Sequence, residues 1–370
     1  MANYSGPEKL PAFLFCHPSM EDLAEAIAKR CTNSPGTIDV RGTEKTLTGS
    51  SSGSDPPFMQ RSHSYSRLTS HQPVRFLKTI KWEKFKDGWP NLFIQDVDQV
   101  AGRDLIFLGN FQSPEIIFEQ LSILYSIPRY LARSFKFILP YFPTGTMERI
   151  DTEGQVATAK TLAMLLSAIP STARGPSQIV IFDIHELQER FYFSDQVIPR
   201  LETALPLLLR EMKRLPEEVK FSLAVAFPDE GAFKRFNKTF QGFPTITCTK
   251  VRDKDRRIVN VKEGDPEGKH VIIVDDLVQT GGTLKECCRA LQLRGAASVS
   301  AYVTHAVFPL ESWKSFTKAY KSDTDPEFKY FWITDSIPHA HDICTHSPFQ
   351  LLSLCDMISE TLLGYDLLQL

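Results

Sequence analysis

Runs of consecutive apolar residues alternate with amphipathic stretches along most of the chain. The first run, residues 12–16, is followed at residues 20–30 by a stretch whose apolar side chains recur at helical spacing. This pair predicts a strand and then a helix. The same alternation predicts further strands at residues 105–108, 137–139, 179–182, 223–227, 271–274 and 299–303, and helices at residues 116–125, 156–168 and 284–293.

In these predicted strands apolar residues follow one another instead of alternating with polar ones, which is typical of parallel strands covered on both faces. Strands that alternate with helices therefore predict an α/β fold with mostly parallel sheets flanked by helices. So many strands require two sheets. A Thr-Gly turn follows a predicted buried strand twice, within residues 140–146 and 275–283. This weak internal repeat favours two related domains. We expect them at residues 1–195 and 196–370.

The composition changes within the first of these domains. Residues 42–73 are rich in Ser, Thr, Gly and Pro and contain hardly any apolar side chains. Such a segment cannot bury enough apolar surface to offset the entropy lost on ordering. We expect a disordered insertion there.

Charge and cysteine content narrow the classes of partner. The chain has 42 Lys and Arg residues against 44 Asp and Glu, so it lacks the basic character of a nucleic-acid-binding protein. Its seven cysteines are scattered, odd in number and never spaced as in zinc or disulfide motifs. No apolar run has the 18 residues that suggest a membrane-spanning helix. We expect an untargeted cytoplasmic protein that acts on small molecules, with no membrane and no nucleic-acid partner.

The strongest chemical signal lies at residues 270–295, where a predicted strand, a turn and a helix follow one another. Asp275 and Asp276 stand at the carboxyl end of the strand, the edge at which open α/β sheets bind ligands. Residues 281 and 282 are both Gly, so their N–H groups can approach a phosphate near the helix start. Paired carboxylates accept hydrogen bonds from ribose hydroxyls or bind Mg²⁺. The segment predicts a sugar-phosphate site, and a plain helix capped by Thr283 is the simpler alternative.

This segment resembles the phosphoribosyl pyrophosphate motif shared by type I phosphoribosyltransferases and ribose-phosphate pyrophosphokinases. Gln279 departs from the motif, because many members carry a third acid at that position, although an amide also suits a phosphate. The resemblance implies a site for ribose 5-phosphate and phosphoribosyl pyrophosphate made by Asp275, Asp276, Gln279, Thr280, Gly281, Gly282 and Thr283.

Four more segments favour the pyrophosphokinases over the transferases. Residues 138–168, 179–193, 226–236 and 249–257 resemble pyrophosphokinases in the same order, and above all the plant-type class II enzymes. The resemblance implies two related domains of the phosphoribosyltransferase type. It also implies transfer of a diphosphoryl group from Mg·ATP to ribose 5-phosphate, with phosphoribosyl pyrophosphate and AMP as products. A catalytically silent regulatory subunit and a phosphoribosyltransferase remain alternatives.

Two segments carry candidate ligands of Mg²⁺ and ATP. Asp183 and His185 alternate at a predicted strand end, so both side chains point to one side and suit a divalent cation. A hydrogen-bonded strand-end His is the simpler explanation. Asp229 and Gly231 begin a helix after another strand, which suits a phosphate or a plain helix cap. The resemblance implies that Asp183, His185 and Asp229 bind the metal, and that His185 and Asp229 also contact ATP.

Residues 250–257 combine five cationic side chains with two acidic ones. A solvated charge cluster is the simpler interpretation. The resemblance instead implies a mobile loop that closes over ATP. Lys250 and Arg252 are then the catalytic residues, because they stabilise charge on the transferred group.

Adenine recognition is predicted from two other places. Residues 140–149 resemble the adenine-contacting loop of the family, with Arg149 near the position of a common Arg-Gln pair. Phe85 and Asp87 match residues that in relatives complete the ATP site of a neighbouring subunit, so the resemblance implies a homo-oligomer. The aromatic cluster of Trp82, Phe85 and Trp89 fits a hydrophobic core equally well.

Overall fold

The computed structural model describes residues 10–33, 73–253, 256–320, 322 and 325–363, without the side chains of residues 250–258. The predicted disordered insertion, residues 42–73, lies outside the described residues except for Pro73. The strands are β1 (Ala12–Cys16), β2 (Val74–Phe76), β3 (Ile80–Lys84), β4 (Pro90–Ile94), β5 (Asp104–Leu108), β6 (Ser134–Leu139), β7 (Ser177–Phe182), β8 (Val197–Glu202), β9 (Leu223–Phe227), β10 (Thr245–Asp253), β11 (Arg256–Glu263), β12 (His270–Val278), β13 (Ser298–Ala306), β14 (Phe331–Thr334) and β15 (Phe349–Leu352).

The described part of the chain contains nine α-helices. None of them is both long enough and apolar enough to span a bilayer. They are α1 (Glu21–Asn33), α2 (Pro114–Ser126), α3 (Thr158–Ser167), α4 (Leu205–Arg214), α5 (Glu217–Lys220), α6 (Glu230–Phe236), α7 (Gly282–Leu293), α8 (Ala340–Ile343) and α9 (Cys355–Thr361).

The first large sheet has six strands in the order β2-β1-β5-β6-β7-β8, and every pairing in it is parallel. Its central strands are buried along nearly their whole length, as β5 illustrates with five buried residues. This burial on both faces confirms the prediction made from consecutive apolar residues. The last strand, β8, ends at Glu202, so the sheet extends beyond the predicted domain boundary at residue 195.

The second large sheet has seven strands in the order β11-β10-β9-β12-β13-β14-β15. Only the pairing of β10 with β11 is antiparallel. The described part of the chain thus contains two mostly parallel sheets flanked by helices, as predicted.

A shared apolar cluster packs between the two sheets. It contains Leu14 and Ile106 from the first sheet, Val225 and Ile272 from the second, and side chains of α1, α4 and α9. Because the cluster takes residues from both sheets, their relative position is set by hydrophobic burial as well as by the connecting chain.

Helix α9 packs against α1, although the two lie near opposite ends of the chain. The buried side chains of α1, such as Ile27, and those of α9, such as Ile358, belong to the shared cluster. Ion pairs border this contact: Asp356 lies 2.9 Å from Arg30 and 3.0 Å from Arg210. Helix α9 therefore covers part of the N-terminal domain.

Two predicted boundaries near residues 275–284 are wrong. Strand β12 continues to Val278, so Asp275 and Asp276 lie within the strand and not after it. Helix α7 begins at Gly282 instead of Leu284, and Gly281 is its N-cap in place of Thr283. The cause is that β12 still pairs with β13 as far as Val278, which leaves a shorter turn.

Candidate active site

A cavity of about 960 Å³ lies at the carboxyl ends of β9 and β12 and faces the end of β7 from the other sheet. This is the edge at which α/β sheets bind ligands. The cavity brings together most of the residues predicted for substrate binding. They are Arg149, His185, Asp229, Asp275, Asp276, Gln279, Thr280, Gly281, Gly282 and Thr283.

The turn from β12 into α7 requires glycine at one position. Gly281 has a φ of +83°, a left-handed conformation that other residues rarely adopt. A Cβ at Gly281 would also lie 2.2 Å from a ring carbon of Phe316. The turn can therefore pass close to Phe316 and still present the start of the 12-residue α7, with its free N–H groups, to the cavity.

Asp276 is a buried anion held by two cationic partners. It is only 4% exposed. Its Oδ2 lies 2.6 Å from Nδ1 of His185 and accepts a hydrogen bond of 3.1 Å from Arg235. Burial by itself would raise the pKa of Asp276, but the hydrogen bond and charge of His185, with the charge of Arg235, lower this pKa overall.

The neighbouring carboxyl group behaves in the opposite way. Burial, together with the negative charges of Asp276 and Asp229, raises the pKa of Asp275 well above its usual range. Two adjacent acids that titrate in opposite directions are typical of functional sites. A cationic ligand or a set of donated hydroxyl hydrogen bonds would favour the charged form of Asp275.

His185 has a fixed orientation. The hydrogen bond to Asp276 raises the pKa of His185 even though burial opposes this. Arg235 donates a second hydrogen bond, of 2.7 Å, to the backbone oxygen of His185. Arg235 was not predicted from the sequence, because a cation on α6 has no recognisable signal until the fold places it beside Asp276.

Asp229 combines the two roles that the sequence left open. Its Oδ1 accepts a hydrogen bond of 3.0 Å from the N–H of Ala232, so it is the N-cap of α6. It also lines the cavity. The cap orients the carboxylate beside the paired acids of β12.

Asp183 does not join His185 and Asp229 at the cavity. It is 3% exposed, and its Oδ2 accepts hydrogen bonds from the N–H of Ala204, at 2.9 Å, and from Oγ1 of Thr304, at 2.6 Å. Among the described residues no group of three or more His, Cys, Asp or Glu side chains could hold a metal ion. The structure therefore does not bring the three predicted ligands together.

A second group of carboxylates lies beside the cavity. Arg149 pairs with Glu186, at 2.6 Å, and with Glu148, at 2.9 Å. Glu189 is 1% exposed, accepts a hydrogen bond of 3.0 Å from the N–H of Glu186, and has a second oxygen with no hydrogen-bond partner. Burial raises the pKa of Glu189 to about 7, and the charge of Glu148 adds to the effect.

Phe85 and Asp87 lie away from this cavity, at the tip of the β3–β4 hairpin. Phe85 is 55% exposed, and Asp87 accepts a hydrogen bond of 3.3 Å from the N–H of Trp89. Trp82 packs against the buried cluster of the first sheet, whereas Trp89 is exposed and contacts the ring of Phe118. Of the three aromatic residues that could have belonged to a hydrophobic core, only Trp82 does so.

Lys250 and Arg252 lie on β10 and not on a loop as expected, because their backbone pairs with β11 in an antiparallel hairpin. Their side chains are outside the described part of the structure. Strand β10 pairs with β9, whose end leads directly to Asp229. The hairpin therefore starts next to the cavity.

Comparison with known proteins agrees with this arrangement. Residues 59–169 match the family model of the N-terminal domain of ribose phosphate pyrophosphokinase, and residues 191–349 match that of the phosphoribosyl transferase domain. Ribose-phosphate pyrophosphokinase 4 of Oryza sativa subsp. japonica is 51% identical over 287 residues, which cover 77% of this chain and 88% of the relative. The chloroplastic ribose-phosphate pyrophosphokinase 3 of Arabidopsis thaliana is 52% identical, over 80% of this chain and 72% of the relative.

The fold has a solved counterpart. The crystal structure of phosphoribosylpyrophosphate synthetase from Mycobacterium smegmatis superposes with a TM-score of 0.68 at 20% identity, over 95% of this chain and 97% of that one. The two sheets and the turn before α7 define a protein with two phosphoribosyltransferase-type domains. Within that class, the identity to the plant relatives shows that this chain belongs to the ribose-phosphate pyrophosphokinase family of enzymes.

Proposed function

We propose that the chain transfers the β,γ-diphosphoryl group of Mg·ATP to the C1 hydroxyl of ribose 5-phosphate, giving phosphoribosyl pyrophosphate and AMP. One observation carries this proposal. A single cavity contains the phosphate-type turn before α7, the paired acids of β12, and His185 from the other domain. A transferase of one domain would lack the last of these groups.

Ribose 5-phosphate is assigned to the β12–α7 turn. The phosphate would accept hydrogen bonds from N–H groups at residues 279–283 and from the hydroxyls of Thr280 and Thr283. Asp275 would accept hydrogen bonds from the ribose hydroxyls, because Asp276 already accepts hydrogen bonds from His185 and Arg235. The raised pKa of Asp275 is consistent with a group that becomes charged when a ligand donates to it.

Mg·ATP is assigned to the part of the cavity lined by His185, Asp229 and Arg149. Two protein groups are enough for Mg²⁺, which usually keeps several waters and shares its remaining positions with substrate phosphates. His185 and Asp229 would therefore hold the ion together with ATP. When bound, Mg²⁺ supplies positive charge beside the phosphate oxygens.

The transfer itself requires positioning and charge stabilisation, and no covalent intermediate. The ribose hydroxyl attacks the β-phosphorus in line with the departing AMP. Lys250 and Arg252 are proposed to reach the migrating group from the β10–β11 hairpin and to neutralise its charge.

A homo-oligomer would complete the ATP site. The hairpin tip presents Phe85 and Trp89 to solvent, and Phe93 and Phe118 are also more than half exposed. Exposed aromatic clusters of this kind are typical of interaction surfaces. We propose that Phe85 and Asp87 of one subunit contact the adenine bound by the next. The proposed location is the cytoplasm, whereas the ribose-phosphate pyrophosphokinase 3 of Arabidopsis thaliana is chloroplastic.

A turnover assay tests the proposed reaction. The purified chain with ATP, ribose 5-phosphate and Mg²⁺ should release one AMP for each phosphoribosyl pyrophosphate formed, and an Asp275→Asn variant should release far less. A chain that is well folded but produces no AMP would fit a regulatory subunit. Consumption of phosphoribosyl pyrophosphate with a free base would instead identify a transferase.

A further inference from the structure

Only two residues separate the end of β7 from the side chain that enters the cavity. Phe182 is the last residue of β7, and Asp183 and Ile184 connect it to His185. Asp183 has a φ of +38°, in the left-handed region that residues other than Gly rarely adopt. Such a conformation persists only where surrounding contacts stabilise it.

Contacts from three elements hold this link. The N–H of Asp183 donates to the oxygen of Glu202, at 2.9 Å. The Asp183 carboxylate accepts from Ala204, at the start of α4, and from Thr304 of β13. The ring of His305, also on β13, lies 3.0 Å from the oxygen of Phe182.

Two of the contacts that the second domain makes with this link bind its side chains. Thr304 of β13 binds the carboxylate of Asp183, and Asp276 of β12 binds the ring of His185. Strands β12 and β13 are hydrogen-bonded neighbours in one sheet, so the spacing between the two points is fixed. A short link attached at both points has little freedom to move His185.

We propose that Asp183 and Thr304 are positioning residues, which fix the β7 end so that His185 meets Asp276 and faces Mg·ATP. Asp183 does not act as a metal ligand. Its carboxylate is buried, faces two donors of the protein, and is not part of the cavity lining. The inference rests on the role proposed above for His185 in binding Mg·ATP.

The test compares Thr304→Val, Thr304→Ser and Asp183→Asn in steady-state kinetics and in Mg²⁺ titrations at fixed ATP. Val removes the hydroxyl at nearly constant volume, and Ser retains it. We expect kcat to fall about 10- to 100-fold in Thr304→Val and Asp183→Asn, because displacement of a reacting group by about 1 Å has effects of that size. Thr304→Ser should restore most of the rate, and the Mg²⁺ concentration for half-maximal rate should not change.

Two controls separate positioning from general destabilisation. Asp104 is another buried carboxylate that accepts from a hydroxyl, that of Ser134 at 2.6 Å, but it lies at the amino end of β5, away from the cavity. Asp104→Asn should lower the melting temperature and leave kcat within about twofold. Tyr302→Phe removes the other partner of the Thr304 hydroxyl and should also retain kcat.

The possible results give distinct answers. A double variant, Asp183→Asn with Thr304→Val, should be no slower than the worse single variant, since both remove one interaction. Normal kcat in Thr304→Val, or rescue of Asp183→Asn by added Mg²⁺, would overturn the proposal. If Asp183→Asn does not fold, the difference in kcat between Thr304→Val and Thr304→Ser decides whether the proposal holds. Failure of the wild-type chain to release AMP would refute the proposed function instead.

Discussion

Ionisation of Glu189 should cost the folded protein several kcal/mol, and the substitution Glu189→Gln should remove that cost. The side chain is 1% exposed, and one of its carboxylate oxygens has no hydrogen-bond partner. Its pKa is about 7 in the folded protein instead of the ordinary 4.5. Since one pH unit corresponds to about 1.4 kcal/mol, the charged form is about 3 kcal/mol less favourable in the folded state than in the unfolded chain.

The sign of the effect on the free energy of unfolding follows from the raised pKa of Glu189. Below pH 4.5 Glu189 is protonated in both states and costs nothing. Between pH 4.5 and 7 the unfolded chain loses this proton first, so the free energy of unfolding decreases as the pH rises. The full cost is present above pH 7. Gln can still accept the hydrogen bond from Glu186 and carries no charge.

Urea unfolding of the wild type and of Glu189→Gln at pH 5 and pH 8 measures the difference. We expect the variant to be more stable by about 1 kcal/mol at pH 5 and by about 3 kcal/mol at pH 8. Glu218→Gln is the matched control, because Glu218 is exposed on α5, and it should have little effect at either pH. An equal gain at both pH values, or a loss at pH 8, would refute the reasoning.

Four further substitutions test other parts of the site. Arg235→Met should destabilise the protein by about 3 kcal/mol in urea unfolding, because it removes one of two cationic partners of buried Asp276; a melting curve like that of the wild type would contradict this. Gly281→Ala should lower the melting temperature and weaken ribose 5-phosphate binding, since its Cβ would lie 2.2 Å from a phenylalanine ring carbon. Unchanged stability would mean that the turn can rearrange. Lys250→Ala and Arg252→Ala should each lower kcat about 10²- to 10³-fold with little change in the KM for ATP; a higher KM with normal kcat would make them ground-state binders.

The parts of the fold that could be predicted are those with strong local signals. Strands β1 and β9 begin and end where their apolar runs do, because every residue in them is buried. The β3–β4 hairpin was not predicted, since its residues are exposed or only partly buried and give no continuous apolar run. Strand β8 likewise mixes polar and apolar residues at the edge of the first sheet.

The residues of the candidate site also differ in whether the local sequence predicts them. Residues in and beside the turn before α7 were predicted because their chemistry is contiguous in the sequence. The orientation of Asp183 could not be predicted, because its partner Thr304 is 121 residues away and its backbone takes a left-handed conformation. The pairing of Arg235 with Asp276 likewise joins residues 41 apart, which only the fold brings together.

The contact of α9 with α1 has a consequence for synthesis on the ribosome. About 320 residues separate the end of α1 from the start of α9, and at about 5–20 residues per second their translation takes roughly 20 seconds to a minute. Throughout that interval the apolar side of α1 that α9 will cover, which belongs to the shared cluster, has emerged without this partner. Apolar surface that stays exposed in a nascent chain favours aggregation and chaperone binding. We therefore expect the nascent chain to need protection until α9 has been released.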